Sequence, residues 1–144
     1  MNRVAAANNA LFALVEATFP DPAVIVMRNP DGQRALPAAN FLVSMQDDNE
    51  PEVLRVLSGP VYDLKAVALL TIARKALEKD RREHQWYGVE AMRAALAVDV
   101  TLGGVVEDAR LEGVEGADMD RAKWLGGGLD LSIRLLFAAP SPAG

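Results

Sequence analysis

"YDLKAVALLTIARKALEKDRREH", residues 62–84, decides the fold. Its alanine, leucine and charged residues suit a helix. Yet Tyr62, Leu64, Ala66, Ala68, Leu70 and Ile72 fall at every second position, against Asp63, Lys65 and Thr71. Successive side chains of a strand point to opposite faces, whereas those of a helix share a face every three or four residues. The alternation therefore predicts a strand to about Arg74, then a charged connection. A helix is expected from about Arg82 to Val98, where Trp86, Val89, Met92 and Leu96 make one stripe.

The same alternation is clearest near the end of the chain. In "GLDLSIRLLFA" the residues Leu129, Leu131, Ile133, Leu135 and Phe137 share a face opposite Asp130, Ser132 and Arg134. That is a half-buried strand. Toward the beginning, "RVAAANNALFALVEA" (3–17) reads as a helix with Leu11, Leu14, Val15 and Phe19 at helical spacing, stopped by Phe19-Pro20-Asp21-Pro22. "AVIVMR" is a short β-branched run that ends in a turn signal at Asn29-Pro30-Asp31-Gly32. "NFLVSMQ" (40–46) is a second strand, with Phe41, Val43 and Met45 on one face. "EVLRVL" (52–57) fits either a short strand or one helical turn.

These elements predict an α+β fold: a mostly antiparallel sheet of four to six strands with two main helices packed on one face. At 144 residues the chain makes one domain, expected over 1–139, with the Pro/Ala-rich residues 140–144 as a flexible C-terminal tail. Hydrophobic residues make up 51%, enough for a packed core. A net charge of -5 argues against a free-standing nucleic-acid binder that relies on counterion release. The chain has no cysteine, which excludes disulfides, thiolate zinc sites and a cysteine nucleophile. No apolar run reaches membrane-spanning length, so a soluble protein made in the cytoplasm, with no membrane partner, is expected.

Chemistry-bearing motifs are sparse. Thr101-Leu102-Gly103-Gly104 invites comparison with a phosphate loop, but such a loop follows a strand and opens a helix. Here the glycines follow a helix and precede a strand, and no Lys-Ser/Thr pair comes after them. A hinge in which glycine supplies the left-handed conformation that ends a helix is the better reading. Gly126-Gly127-Gly128 reads as a flexible connection. His84 is the single histidine and reads as a solvated residue near a helix start rather than a base. Glu115, Asp118 and Asp120 offer oxygen atoms to a hard cation, but their spacing matches no calcium loop, and a solvated hairpin is preferred. No cofactor, metal or catalytic residue is assigned. The candidate interface comprises Arg74, Lys75, Lys79, Arg81 and Arg82, which read either as a solvated connection or as contacts for an acidic partner surface, with Trp86, Tyr87, Glu107, Asp108 and Arg110. Of Trp86 and Tyr87, adjacent on a helix, one is expected in the core and the other exposed.

The strand after "GPVYD", the segment "RREHQWYGVEAMRAALAVDVTLGGVVEDARLEG" and the closing strand "GLDLSIRLLFA" follow one another in an order that resembles a known family. It is that of the small tail-terminator, or tail-completion, proteins of long-tailed bacteriophages, prophages and gene-transfer particles. The resemblance spans about residues 59–139. It implies a virion protein at the head-proximal end of the tail, assembled as a homo-oligomeric, hexameric ring. Such a ring caps the tail tube, ends its polymerisation and offers a surface for head–tail joining. The implied partners are the tail tube protein and a head-completion or connector protein, with DNA passing through the lumen without specific binding. It also implies an outward strand after the glycine turn. The alternative is a small α/β enzyme or ligand-binding domain with a site near His84 or the acidic hairpin at 105–120.

Overall fold

In a computed structural model, which describes residues 2–29, 41–57, 59, 61–74, 78–117 and 128–144, the deciding segment is a strand. β4 runs Val61–Arg74, with Leu64, Ala66, Ala68, Leu70 and Ile72 buried on one side. Among the described residues the fold is α+β: six strands form one mostly antiparallel sheet, and two helices cover one face. The strands are β1 (Val24–Arg28), β2 (Phe41–Gln46), β3 (Glu52–Leu57), β4, β5 (Asp108–Ala117) and β6 (Gly128–Ala139). The helices are α1 (Arg3–Thr18) and α2 (Glu78–Val98).

The sheet order is β1-β2-β4-β6-β5, and β3 also pairs with β4. β4 is the axis of the sheet. One edge pairs with β6 from Tyr62↔Ala139 to Ile72↔Leu129. The other edge is shared: β2 takes its C-terminal half, Leu69–Arg74, and β3 takes its N-terminal half, Val61–Lys65. Between them the Val67 N–H has no strand carbonyl to meet, and it donates to Asp48 Oδ2 at 2.9 Å. The Asp48 main-chain oxygen accepts from Asn8 Nδ2 of α1 at 3.0 Å, which ties the β2–β3 connection to the helical layer. Asn8 is fully buried, although by type it belongs outside. β1 and β2 pair in parallel, so they are not the two arms of a hairpin. Of the turn expected at 29–32, only Asn29 lies among the described residues, with φ 47°.

Leu129, Leu131, Ile133, Leu135 and Phe137 of β6 join the alternate β4 residues in one core. Val4, Ala7, Leu11 and Val15 of α1 and Val89, Met92 and Leu96 of α2 close it from above. Asn2 caps α1 by accepting from the Ala5 N–H at 2.7 Å. At the far end Phe19 N–H still reaches Val15 O, and Pro20 prevents continuation.

Two expectations are corrected. α2 begins at Glu78, earlier than Arg82, because Glu, Lys and Arg are good helix formers. Trp86 and Tyr87 are both exposed, at 41% and 75%, and neither enters the core. The buried stripe of α2 is Gln85, Gly88, Val89, Met92 and Leu96. Gly88 sets that phase: a Cβ there would stand 3.0 Å from Ile72 Cδ1, so the missing side chain is what lets the helix lie on β4. Beside α1, Arg3 N–H donates to Gly144 O at 3.0 Å, within the residues 140–144 expected as a flexible tail.

Candidate functional site

The Thr101–Gly104 turn is built by Asp99 and Thr101. The last helical bond of α2 runs from Asp99 N–H to Ala95 O. Then Leu102, Gly103 and Gly104 take positive φ in succession, 49°, 69° and 89°. Helical hydrogen bonding thus ends several residues before the glycines, which reverse the chain after the helix has stopped. Leu102 accepts the left-handed conformation because its side chain is buried at 4% exposure. The amides that a phosphate would need are satisfied within the turn itself. Gly103 N–H donates to Asp99 Oδ1 at 2.9 Å, and Gly104 N–H donates to the Thr101 main-chain oxygen and Oγ1 at 3.0 and 3.1 Å. A carboxylate of the chain itself occupies the place of an anion.

Beyond the turn the chain does not leave the body, as an outward strand would. Glu107 N–H donates to Leu136 O at 2.8 Å, and β5 then pairs with β6 from Asp108↔Leu136 to Ala117↔Gly128. Backbone complementarity with β6 holds the segment along the sheet. The Ala109 N–H points to the outer side of β5 and donates to Val100 O at 2.7 Å.

The proposed interface residues are scattered over this frame. Arg74 ends β4, and Lys79, Arg81 and Arg82 lie in the first part of α2 together with His84, while Lys75 lies outside the described residues. Trp86 and Tyr87 sit on the exposed side of α2. Glu107 and Arg110 are exposed, but Asp108 is an internal node, 3.5 Å from both Arg110 and Arg134. Glu115 faces Asp130 across the β5–β6 ladder, and Asp118 and Asp120 lie outside the described residues. Among the described residues no group of three or more His, Cys, Asp or Glu side chains could hold a metal ion. No helix among them is long and apolar enough to cross a membrane. Gly128, expected in a flexible connection, begins β6, and a Cβ there would come within 2.7 Å of Ile72 O.

Two surface features were not read from the sequence. The first is a cleft of about 320 Å³ between the end of α2 and β5, with an apolar floor from Leu96, Val100 and Leu111 and with Arg93 and Arg110 at its rim. The second is β3. Residues 52–56 are exposed on both faces, including Val53, Leu54 and Val56 at 38%, 49% and 64%. Only Leu57 is half-buried. Arg55 is fixed by Asp63 at 2.5 Å, whose hydrogen bond and negative charge raise the guanidinium pKa above its usual value. The apolar character of "EVLRVL" was the signal available, and it gave no hint that neither face would be covered.

No protein-family model matches the chain, and neither does any curated protein sequence.

Proposed function

We propose that the chain is a structural subunit that assembles into a ring, capping a phage-type tail tube and offering a surface for head–tail joining. The observation that carries this reading is the apolar, exposed edge strand β3. Val53, Leu54 and Val56 stand in water in the monomer, where exposed apolar edges are templates for another chain. The sequence resemblance over about residues 59–139 supplies the kind of assembly. The acidic charge of -5 suits a lumen through which DNA passes without being held. The test is direct. Added to a polymerising tail tube protein from the same gene cluster, the chain should shorten the tubes and appear at one tube end by electron microscopy. Tubes of unchanged length with bare ends would refute it.

A second reading rests on the cleft between α2 and β5, whose apolar floor lies beside Arg93, paired with Glu90, and Arg110, paired with Asp108, so that an anionic ligand with an apolar body would bind by displacing those carboxylates. Saturable calorimetric binding of such anions, abolished by Arg110→Ala, would favour it.

A further inference from the structure

Besides the outer edge of β1, the sheet carries two open edges on opposite sides, the outer edge of β3 and the outer edge of β5, neither paired with another strand among the described residues. Building on the ring reading, we propose that β3 of one copy pairs with β5 of the next, so that the sheets of neighbouring subunits become continuous.

Strand direction allows this in a ring. Within one subunit β3, β4, β6 and β5 are successively antiparallel, so β3 and β5 run in opposite directions. The modest rotation between neighbours in a many-membered ring preserves that opposition, and the new pair is antiparallel. The outer edge of β5 is taken at Ala109 by Val100 O, so the open part begins near Leu111.

The side chains then select a register. Val53 and Val56 of β3 lie opposite Leu64 and Tyr62 and share the helix-covered side of the sheet. Leu111 and Val114 of β5 lie opposite Ile133 and Leu131 on that same side. Setting Val56 against Leu111 places Val53 against Val114. Each strand has one irregularity in the matching interval, at Leu54 in β3 and at Glu112 in β5, so the faces stay in phase throughout. On the other face Arg55 falls against Gly113, which has no side chain to obstruct it. It is flanked by Glu115 and by Glu112, which also pairs with Lys65 of its own subunit at 3.3 Å, and both are exposed. The partner is therefore a second copy of this chain, chosen by two apolar cross-strand pairs and one arginine between two carboxylates. Because the two edges differ, the contact is head-to-tail and must close into a ring or extend into a filament.

Sedimentation velocity across a wide concentration range tests the pairing. Wild type should form an oligomer several times the 15.5 kDa monomer. Val56→Asp should remain monomeric with an unchanged circular dichroism spectrum, because Val56 is exposed in the subunit. Arg55→Glu alone and Glu112→Lys/Glu115→Lys alone should each weaken assembly by about tenfold or more. The triple variant combining them should recover it. An equimolar mixture of the two partial variants should recover assembly as alternating copies, since both mixed edge pairs are attractive and both like pairs are repulsive. Three results would overturn the proposal: a monomeric wild type at every concentration, assembly of Val56→Asp like wild type, or a triple variant no better than its parents. Rings that form despite Val56→Asp would reject this edge and leave the ring reading, which the tube-capping assay judges separately.

Discussion

The Asp48 carboxylate accepts the main-chain N–H of Val67 at 2.9 Å and so fills the break that β2 and β3 leave along one edge of β4. Its second oxygen accepts from Glu50 N–H at 3.0 Å, and its own carbonyl holds Asn8 of α1. Asp48→Ala removes the acceptor from a part-buried amide, which costs about 1–3 kcal/mol. Asp48→Asn keeps a carbonyl oxygen and should lose less than half of that. Urea denaturation midpoints check the order wild type, Asn, Ala. Equal midpoints for Asn and Ala would mean that the charge, not the amide, is what matters.

Gly128 gives a second prediction. Its backbone passes so close to β4 that a Cβ would stand 2.7 Å from the Ile72 carbonyl oxygen. Neither atom is the end of a flexible side chain, so Gly128→Ala forces the two strands apart at Ile72↔Leu129. The expected loss is about 1–3 kcal/mol, with Val worse than Ala. A thermal midpoint for Gly128→Ala equal to wild type would place the glycine in a mere connector, as its run of three suggests.

The contrast between these two positions and the β4–β6 pair shows what the sequence carries. Leu64 to Ile72 and Leu129 to Phe137 alternate because each strand has one buried face, and a period of two survives any packing detail. The stripe of α2 excludes Trp86 because its phase is set by a contact, Gly88 on Ile72, that depends on another element. The parallel β1–β2 pair, the edge shared by β2 and β3, and the return of β5 along β6 are choices between partners distant in sequence. Local periodicity is silent on such choices. A surface is the least legible part: a charge run in the sequence is only a charge run, whereas the exposure of Val53, Leu54 and Val56 follows only from β3 lacking any cover.

Leu131 and Ile133 test the buried face directly. Both are fully buried, and they lie between Leu70 and Ala68 of β4 and Val114 and Leu111 of β5. Leu131→Asp or Ile133→Asp places a carboxylate there with no basic partner among those neighbours. The cost is several kcal/mol, comparable with the whole stability of a domain this size. Loss of cooperative melting and of soluble yield is expected. A soluble variant with wild-type melting would show that the faces of β6 are reversed.

Gly103 and Gly104 separate strain from binding. Both have positive φ, and a Cβ at either would meet nothing within 4 Å, so a substitution costs backbone strain without a clash. Gly103→Ala and Gly104→Ala should each lose on the order of 1 kcal/mol, and Gly104→Val about 1–2 kcal/mol because a β-branched side chain resists the left-handed region further. Asp99→Ala frees the Gly103 amide of its 2.9 Å acceptor in an exposed turn and should cost less than about 1 kcal/mol. The phosphate-loop reading orders these variants differently. There, removing the Asp99 carboxylate would vacate an anion position and strengthen phosphate binding, while Gly104→Val would abolish it. Calorimetric titration of wild type, Asp99→Ala and Gly104→Val with ATP, GTP and inorganic phosphate distinguishes the two. The turn as built gives no heat with any of them and the stability order above. Saturable micromolar binding that Asp99→Ala tightens and Gly104→Val removes would make Thr101–Gly104 a ligand loop after all.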